Sequence, residues 1–207
     1  IAADKLQRAW ANSGLLVTAS RLKPDLILIS KGEEITPATL TRLKQKAKIV
    51  NWNPDNPLNV LNSTPDLIKA IPFYDHCYIW GKFLLPELER LGAQRVSYLP
   101  FAYDPDLHQP RSLTNEERKR LASDLIFAGT HEPQRVEALN HLTDFDLAIW
   151  GNHWNRLPHD HPLRKHWRGD AHGDDLSHVY SASRVALNFI REQNGSAHNM
   201  RTFEAPA

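Results

Sequence analysis

Short apolar runs of strand length alternate with helix-forming stretches along most of this chain. Asp25-Leu26-Ile27-Leu28-Ile29-Ser30, introduced by Pro24, has the length and β-branched character of a strand. Thr36-Pro37 follows, an N-cap residue with proline at the first helical position, and Leu40 and Leu43 give that helix an apolar face. Lys48 to Trp52 predicts a second strand, closed by the dense turn signal Asn53-Pro54-Asp55-Asn56-Pro57. Thr64-Pro65-Asp66 starts another helix, and Cys77 to Trp80 predicts a third strand before Gly81. Pro86 to Leu91 reads as a helix ended by Gly92, and Arg95 to Pro100 as a fourth strand. Strand, helix, strand, helix with short links is the pattern of a parallel sheet, whose neighbouring strands need crossover connections.

The rhythm breaks between Asp104 and Ser123. Pro105, Pro110 and the charged run Glu116-Glu117-Arg118-Lys119-Arg120 predict a linker with a short solvated helix there. It restarts with a strand at Asp124 to Ala128, then Gly129-Thr130 and a helix carrying Val136, Leu139 and Leu142. Leu147 to Trp150 is the next strand, closed by Gly151 and followed by a loop rich in His, Pro and Trp. A helix over 174–183, a strand over 185–190 and the start of a helix from Met200 complete the pattern. The expected organisation is two tandem α/β units, residues 1–104 and 124–207, joined by a linker over 105–123. The chain opens on Ile1 and stops at Ala207 with no polar tail, so both units are expected to be incomplete at the chain ends.

Composition narrows the function. Twenty-five Lys and Arg against 24 Asp and Glu leave a net charge of +1, spread over both halves. That argues against a dedicated nucleic-acid binder, which neutralises phosphates with a basic surface. An apolar content of 41% excludes a disordered chain, and no apolar run is long enough to span a membrane. The single cysteine, Cys77, excludes an intrachain disulfide framework and fits a reducing, cytoplasmic setting.

In open α/β sheets ligands bind beyond the carboxyl ends of the strands. Gly129-Thr130 follows a strand and precedes a helix, which suits phosphate, although neither a Walker nor a GxGxxG pattern surrounds it; an ordinary strand-to-helix turn has the same form. Trp150, Gly151 and the later Trp154 lie at another strand end and could shape a pocket, or simply fill a core. In Asn199-Met200-Arg201-Thr202-Phe203-Glu204 the cation and carboxylate stand three apart and share a helix face. Such a pair can hold a diphosphate and ribose hydroxyls, or be a surface salt bridge. The six histidines from His153 to His178, with acidic neighbours, fit no compact zinc motif. No metal and no cofactor is expected.

Four stretches make the chain resemble the GT-B glycosyltransferases, and within them the CgeB-like group named for a spore-maturation protein. They are Pro24 to Ile29 with Val50 to Asp55; Leu88 to Ala93 with Val96 to Ala102 and Pro105; Ser123 to Thr130; and Tyr180 to Asn188 with Asn199 to Ala205. The resemblance implies two Rossmann-like domains with parallel sheets. The first would hold an acceptor (a glycan, a protein or a small molecule) and the second a nucleotide-sugar donor, which is a substrate and not a cofactor. It implies metal-independent transfer, with Glu204 matching the acidic residue that contacts the donor ribose. Arg201 would reach the diphosphate, and Gly129 and Thr130 match the first donor-domain loop. Trp150, Gly151 and Asn199 complete the expected donor set. The second glutamate of the ExxxxxxxE pattern found in many retaining members is Ser196 here, so stereochemistry does not follow.

Asp55 is the candidate base or acceptor contact, ending a strand between rigid prolines; a turn-forming aspartate has the same signature. Competing expectations are a nucleotide-sugar epimerase or phosphorylase on the same fold, a non-catalytic glycan- or partner-binding module, and a metal-dependent hydrolase built on the His/Asp loop.

Overall fold

The computed structural model describes residues 2–207, with side chains from Leu6 onward. It forms two compact α/β units. One comprises residues 1–101 and 191–198, the other 102–190 and 199–207. The second unit thus includes the whole stretch from 105 to 123.

In the first unit, helix α1 (Ala2–Leu22) precedes β1 (Leu26–Ser30), α2 (Pro37–Lys44), β2 (Lys48–Asn53), α3 (Pro65–Ala70), β3 (His76–Ile79), α4 (Leu85–Arg90) and β4 (Val96–Tyr98). The four strands are parallel, in the order β1-β2-β3-β4. The sequence signals act where expected. Thr36 and Thr64 cap α2 and α3 through their side chains, each followed by proline. Gly92 has φ +90 after α4, a conformation costly for a residue with a Cβ. Ile49, Ile79, Leu40 and Leu43 are fully buried and form the centre of the core.

Helix α1 escaped the sequence reading. Leu15, Leu16 and Ala19 pack against the core, while Trp10, Val17 and Leu22 are exposed and blur the apolar face. A polar residue on the same side adds to this docking. Asn12 donates to Glu34 O at 2.7 Å and accepts from Thr36 N at 3.0 Å, so it stitches α1 to the entry of α2.

In the second unit, α5 (Asn115–Leu121) leads into β5 (Ser123–Ala128), α6 (Pro133–Asn140), β6 (Leu147–Trp150), α7 (Asp174–Ser181), β7 (Ser183–Leu187) and α8 (Arg201–Glu204). Its strands are parallel in the order β6-β5-β7, so β5 is central. Thr114 and Glu117 form a reciprocal capping box at α5, which explains a stable start to so charged a helix. Strand β7 begins two residues earlier than its apolar run and stops at Leu187. Ser183 joins the ladder opposite Ser123, their hydroxyls 3.0 Å apart, and Phe189 O is taken by the Asn199 side chain at 3.2 Å. The histidine-rich loop is ordered into two short 3₁₀ turns around Trp154 and Leu163, both with no exposed surface.

Candidate functional site

Several polar contacts of the second unit converge at the carboxyl end of β5. Arg201, on α8, donates from Nε to Ala128 O at 3.2 Å, and its Nη1 donates to Glu204 Oε2. The i, i+3 spacing therefore becomes a real ion pair, anchored on the last residue of the central strand. Glu204 is nine-tenths buried as a side chain and Arg201 about three-quarters. A pair this sheltered is screened less by solvent than a surface one.

Two residues that sequence reasoning missed complete the cluster. His108 Nε2 faces Glu204 Oε1 at 3.8 Å, and its side chain is as buried as the glutamate's. Nothing marks His108 beforehand, since it lies in an aperiodic Asp-Pro-Asp-Leu-His-Gln-Pro stretch and meets Glu204 only through the fold. Tyr180, on α7, lies in the field of both ends of the ion pair. Burial is the main cause of its phenol being pushed up to about 12; Arg201 opposes that rise and Glu204 adds to it. Beside Glu204, Tyr180 and Ser181 is a cavity of about 180 Å³ that also touches Gln109, Pro110 and Ala205.

Asn199 holds this arrangement together. It donates to Asn188 Oδ1 at 2.9 Å and to Phe189 O, and it accepts from Thr202 N at 3.3 Å. It therefore fastens the start of α8 to the segment just after β7.

Gly129 lies immediately after Ala128, but its backbone is already engaged. Its N–H donates to Trp150 O at 2.8 Å, and its carbonyl accepts from Trp154 Nε1 at 2.8 Å. Thr130 O accepts from Arg135 Nη1 at 2.7 Å, and Arg135 also faces Glu132, the N-cap residue of α6, at 3.4 Å. Gly151 has φ +133, and a Cβ there would lie 2.3 Å from Gly129 O. Its glycine is required by the close approach of two strand ends. Trp150 packs on the face of the sheet that carries Val179 and Leu121 and borders a second cavity of about 320 Å³ with Asp170, Asp175 and His178. Thus the fold brings together Arg201, Glu204, Asn199 and the β5 end, while Trp150 belongs to a cavity with different lining residues.

Asp55 belongs to the first unit. It accepts an ion pair from Lys31 Nζ at 2.9 Å, and Lys31 also reaches Glu33 at 3.1 Å. Burial works to lower the Lys31 pKa, but the hydrogen bonds and charges of Asp55 and Glu33 outweigh it, and the net shift is upward. Asp55 N donates to Asn53 Oδ1 at 3.0 Å, the Asx turn that the sequence signals. Asn56 and Asn59 cap the next turns in the same way, at 2.9 and 3.0 Å.

Among the described residues, no group of three or more His, Cys, Asp or Glu side chains is arranged to hold a metal ion. No described helix is long and apolar enough to cross a membrane.

With this geometry in hand, comparison with known proteins gives three findings. No curated protein matches the chain. Residues 133–207, from α6 to α8 and including Arg201 and Glu204, match a family model described as glycosyl transferase-like. Among solved structures, the S. aureus MnaA–UDP co-structure is similar at 14% identity and a TM-score of 0.57, over 89% of this chain and 58% of that one. A Listeria monocytogenes protein assigned as a UDP-N-acetylglucosamine 2-epimerase is similar at 11% identity and a TM-score of 0.55, over 86% of this chain and 56% of that one. The chain therefore spans less than two thirds of the length of either neighbour. The likeness is one of fold: the chain is an α/β protein of the GT-B type, with two parallel Rossmann-like sheets of four and three strands.

Proposed function

We propose that this chain is a glycosyltransferase that moves a sugar from a nucleotide-sugar donor to an acceptor, related to the CgeB-like group. The observation that carries the reading is the sheltered Arg201–Glu204 pair on α8, anchored to Ala128 O inside a glycosyl transferase-like segment. Glu204, as a carboxylate, accepts from the ribose hydroxyls. Arg201 has Nε and Nη1 engaged by the protein, and its Nη2 is the group we assign to the diphosphate. A guanidinium in a sheltered site can stabilise the charge that develops on the departing diphosphate, so the reading needs no metal. Gly129 and Thr130 frame the β5 end, Asn199 sets α8, and Trp150 and Gly151 belong to the same donor unit. We assign the acceptor, a glycan, protein or small molecule, to the first unit, with Asp55 as its base or contact. The free thiol of Cys77 is compatible with a cytoplasmic location.

The test is a calorimetric titration of UDP, GDP, ADP and TDP into the protein and into Glu204→Ala. Binding of one diphosphate at micromolar strength, weakened at least tenfold by the substitution, supports the reading. Equal binding by the variant removes Glu204 from the site. A second reading, epimerisation of a nucleotide sugar, is favoured by the name of the Listeria neighbour. A product assay without acceptor separates the two, because only the epimerase turns over.

A further inference from the structure

We infer that His108 is a binding residue of the donor site, and that together with Glu204 it holds one hydroxyl of the nucleoside sugar. The inference rests on the donor-site reading above and adds a residue to it.

The loop that carries His108 is fixed at several points. His108 N donates to Asp104 O at 2.7 Å, and Asp104 N donates back to His108 Nδ1 at 3.0 Å. Asp104 Oδ1 accepts from Asp106 N at 2.9 Å. Ser177 Oγ, on α7, donates to Leu107 O at 2.6 Å. The imidazole is therefore held by its own loop, and not by Glu204.

The Asp104 bond also assigns the tautomer. An Nδ1 that accepts a backbone N–H carries no proton, so the neutral ring has its hydrogen on Nε2. That N–H faces Glu204 Oε1 across 3.8 Å, which is too far for a direct hydrogen bond. The other glutamate oxygen is occupied by Arg201. What remains is one donor and one acceptor, both fixed, with a gap between them.

A hydroxyl fits that gap. An oxygen about 2.8 Å from each atom would span the 3.8 Å separation with an N···O···O angle of about 85°. It would accept from Nε2–H and donate to the carboxylate, using both of its capacities. An ammonium group has no acceptor for the imidazole and an ionised phosphate oxygen has no donor for the glutamate, whereas a sugar hydroxyl supplies both.

Two substitutions separate this role from loop closure. His108→Asn keeps an acceptor near the Nδ1 position for Asp104 N–H and removes the donor toward Glu204. His108→Gln reaches as far as Nε2 with an amide donor. The probes are UDP, GDP and ADP in turn, and then the 2′-deoxy and 3′-deoxy forms of whichever binds. The expected result is that His108→Asn weakens the ribonucleotide about five- to tenfold, the worth of one such bond. His108→Gln recovers part of that loss. The Asn penalty disappears for the deoxy form that lacks the shared hydroxyl. If Glu204→Ala impairs binding but His108→Asn does not, or if the Asn penalty is the same for both deoxy forms, the inference fails while the donor-site reading stands. If the unsubstituted protein binds no diphosphate, or binds it equally well without Glu204, both fail together.

Discussion

Replacing Gly151 by alanine tests whether that residue serves a ligand or the fold. The built Cβ would lie 2.3 Å from Gly129 O and 2.7 Å from Gly129 C, both backbone atoms that cannot swing aside. It would also have to adopt φ +133. Gly169 supplies an internal control in the same unit: its φ is +101, but nothing lies within 4 Å of its Cβ position. Alanine at Gly169 meets only backbone strain, of order 1–3 kcal/mol. Alanine at Gly151 meets similar strain plus overpacking, typically another 1–3 kcal/mol. The difference between the two variants is therefore about 1–3 kcal/mol, or roughly a 1 M drop in urea midpoint at a slope of about 2 kcal/mol/M. Equilibrium urea unfolding followed by tryptophan fluorescence measures it, since Trp150, Trp154 and Trp167 all report on this unit. If Gly151→Ala loses no more than Gly169→Ala, the close approach of the β5 and β6 ends does not constrain the fold, and the packing role assigned to Gly151 is wrong.

Four further outcomes follow from the same structure. Trp154→Phe removes the donor to Gly129 O and leaves a sheltered carbonyl unpaired; a loss of about 1–3 kcal/mol in unfolding free energy is expected, and an unchanged midpoint would remove that bond from the account. Cys77 is buried and burial pushes its thiol up to about 12, so it should resist a thiol reagent at pH 8 until urea unfolds the chain; reaction at a free-thiol rate under native conditions refutes its placement. Tyr180, raised to about 12, should ionise late in an ultraviolet pH titration, and Tyr180→Phe should delete a late-titrating phenol. Because its folded pKa lies above the unfolded value, the unfolded state ionises first and stability should fall as pH rises from about 10 towards 12. Lys31 is raised as well, and as a base it contributes stability fully below its unfolded pKa and loses it as pH passes the folded one; the deficit of Asp55→Asn should therefore shrink at strongly alkaline pH, and a deficit independent of pH would argue against the ion pair.

Strands were legible because apolar runs bounded by Pro, Gly and Asn have few alternatives, and each of the seven expected runs overlaps a strand, β7 with shifted bounds. Helices with chemical start signals were equally plain, since Thr36-Pro37 and Thr64-Pro65 cap through the bonds their side chains dictate. Helix α1 was not legible, because exposed Trp10, Val17 and Leu22 blur the apolar spacing of Leu15, Leu16 and Ala19, and because Asn12 bonds across more than twenty residues to the β1–α2 loop. A periodicity argument weighs apolar spacing and is blind to a polar anchor of that kind. The same blindness hid His108. Its chemical meaning comes from two neighbours, one four residues away and the other on α8.

The Arg201–Glu204 pair shows how far a local pattern can carry a site. Spacing alone allowed two readings, an i, i+3 salt bridge or a ligand clamp, and treated them as rivals. In the structure the bridge forms, yet that does not remove the clamp. A solvated salt bridge would leave both groups turned to water, where the pair is worth little. Here Arg201 is also tied to Ala128 O, and Glu204 keeps its second oxygen directed at an imidazole too distant to bond it. A carboxylate with one oxygen neutralised and the other facing a fixed donor has unused acceptor capacity in a sheltered place. On the proposed donor-site reading, the salt bridge would set the orientation of the glutamate that the ligand uses.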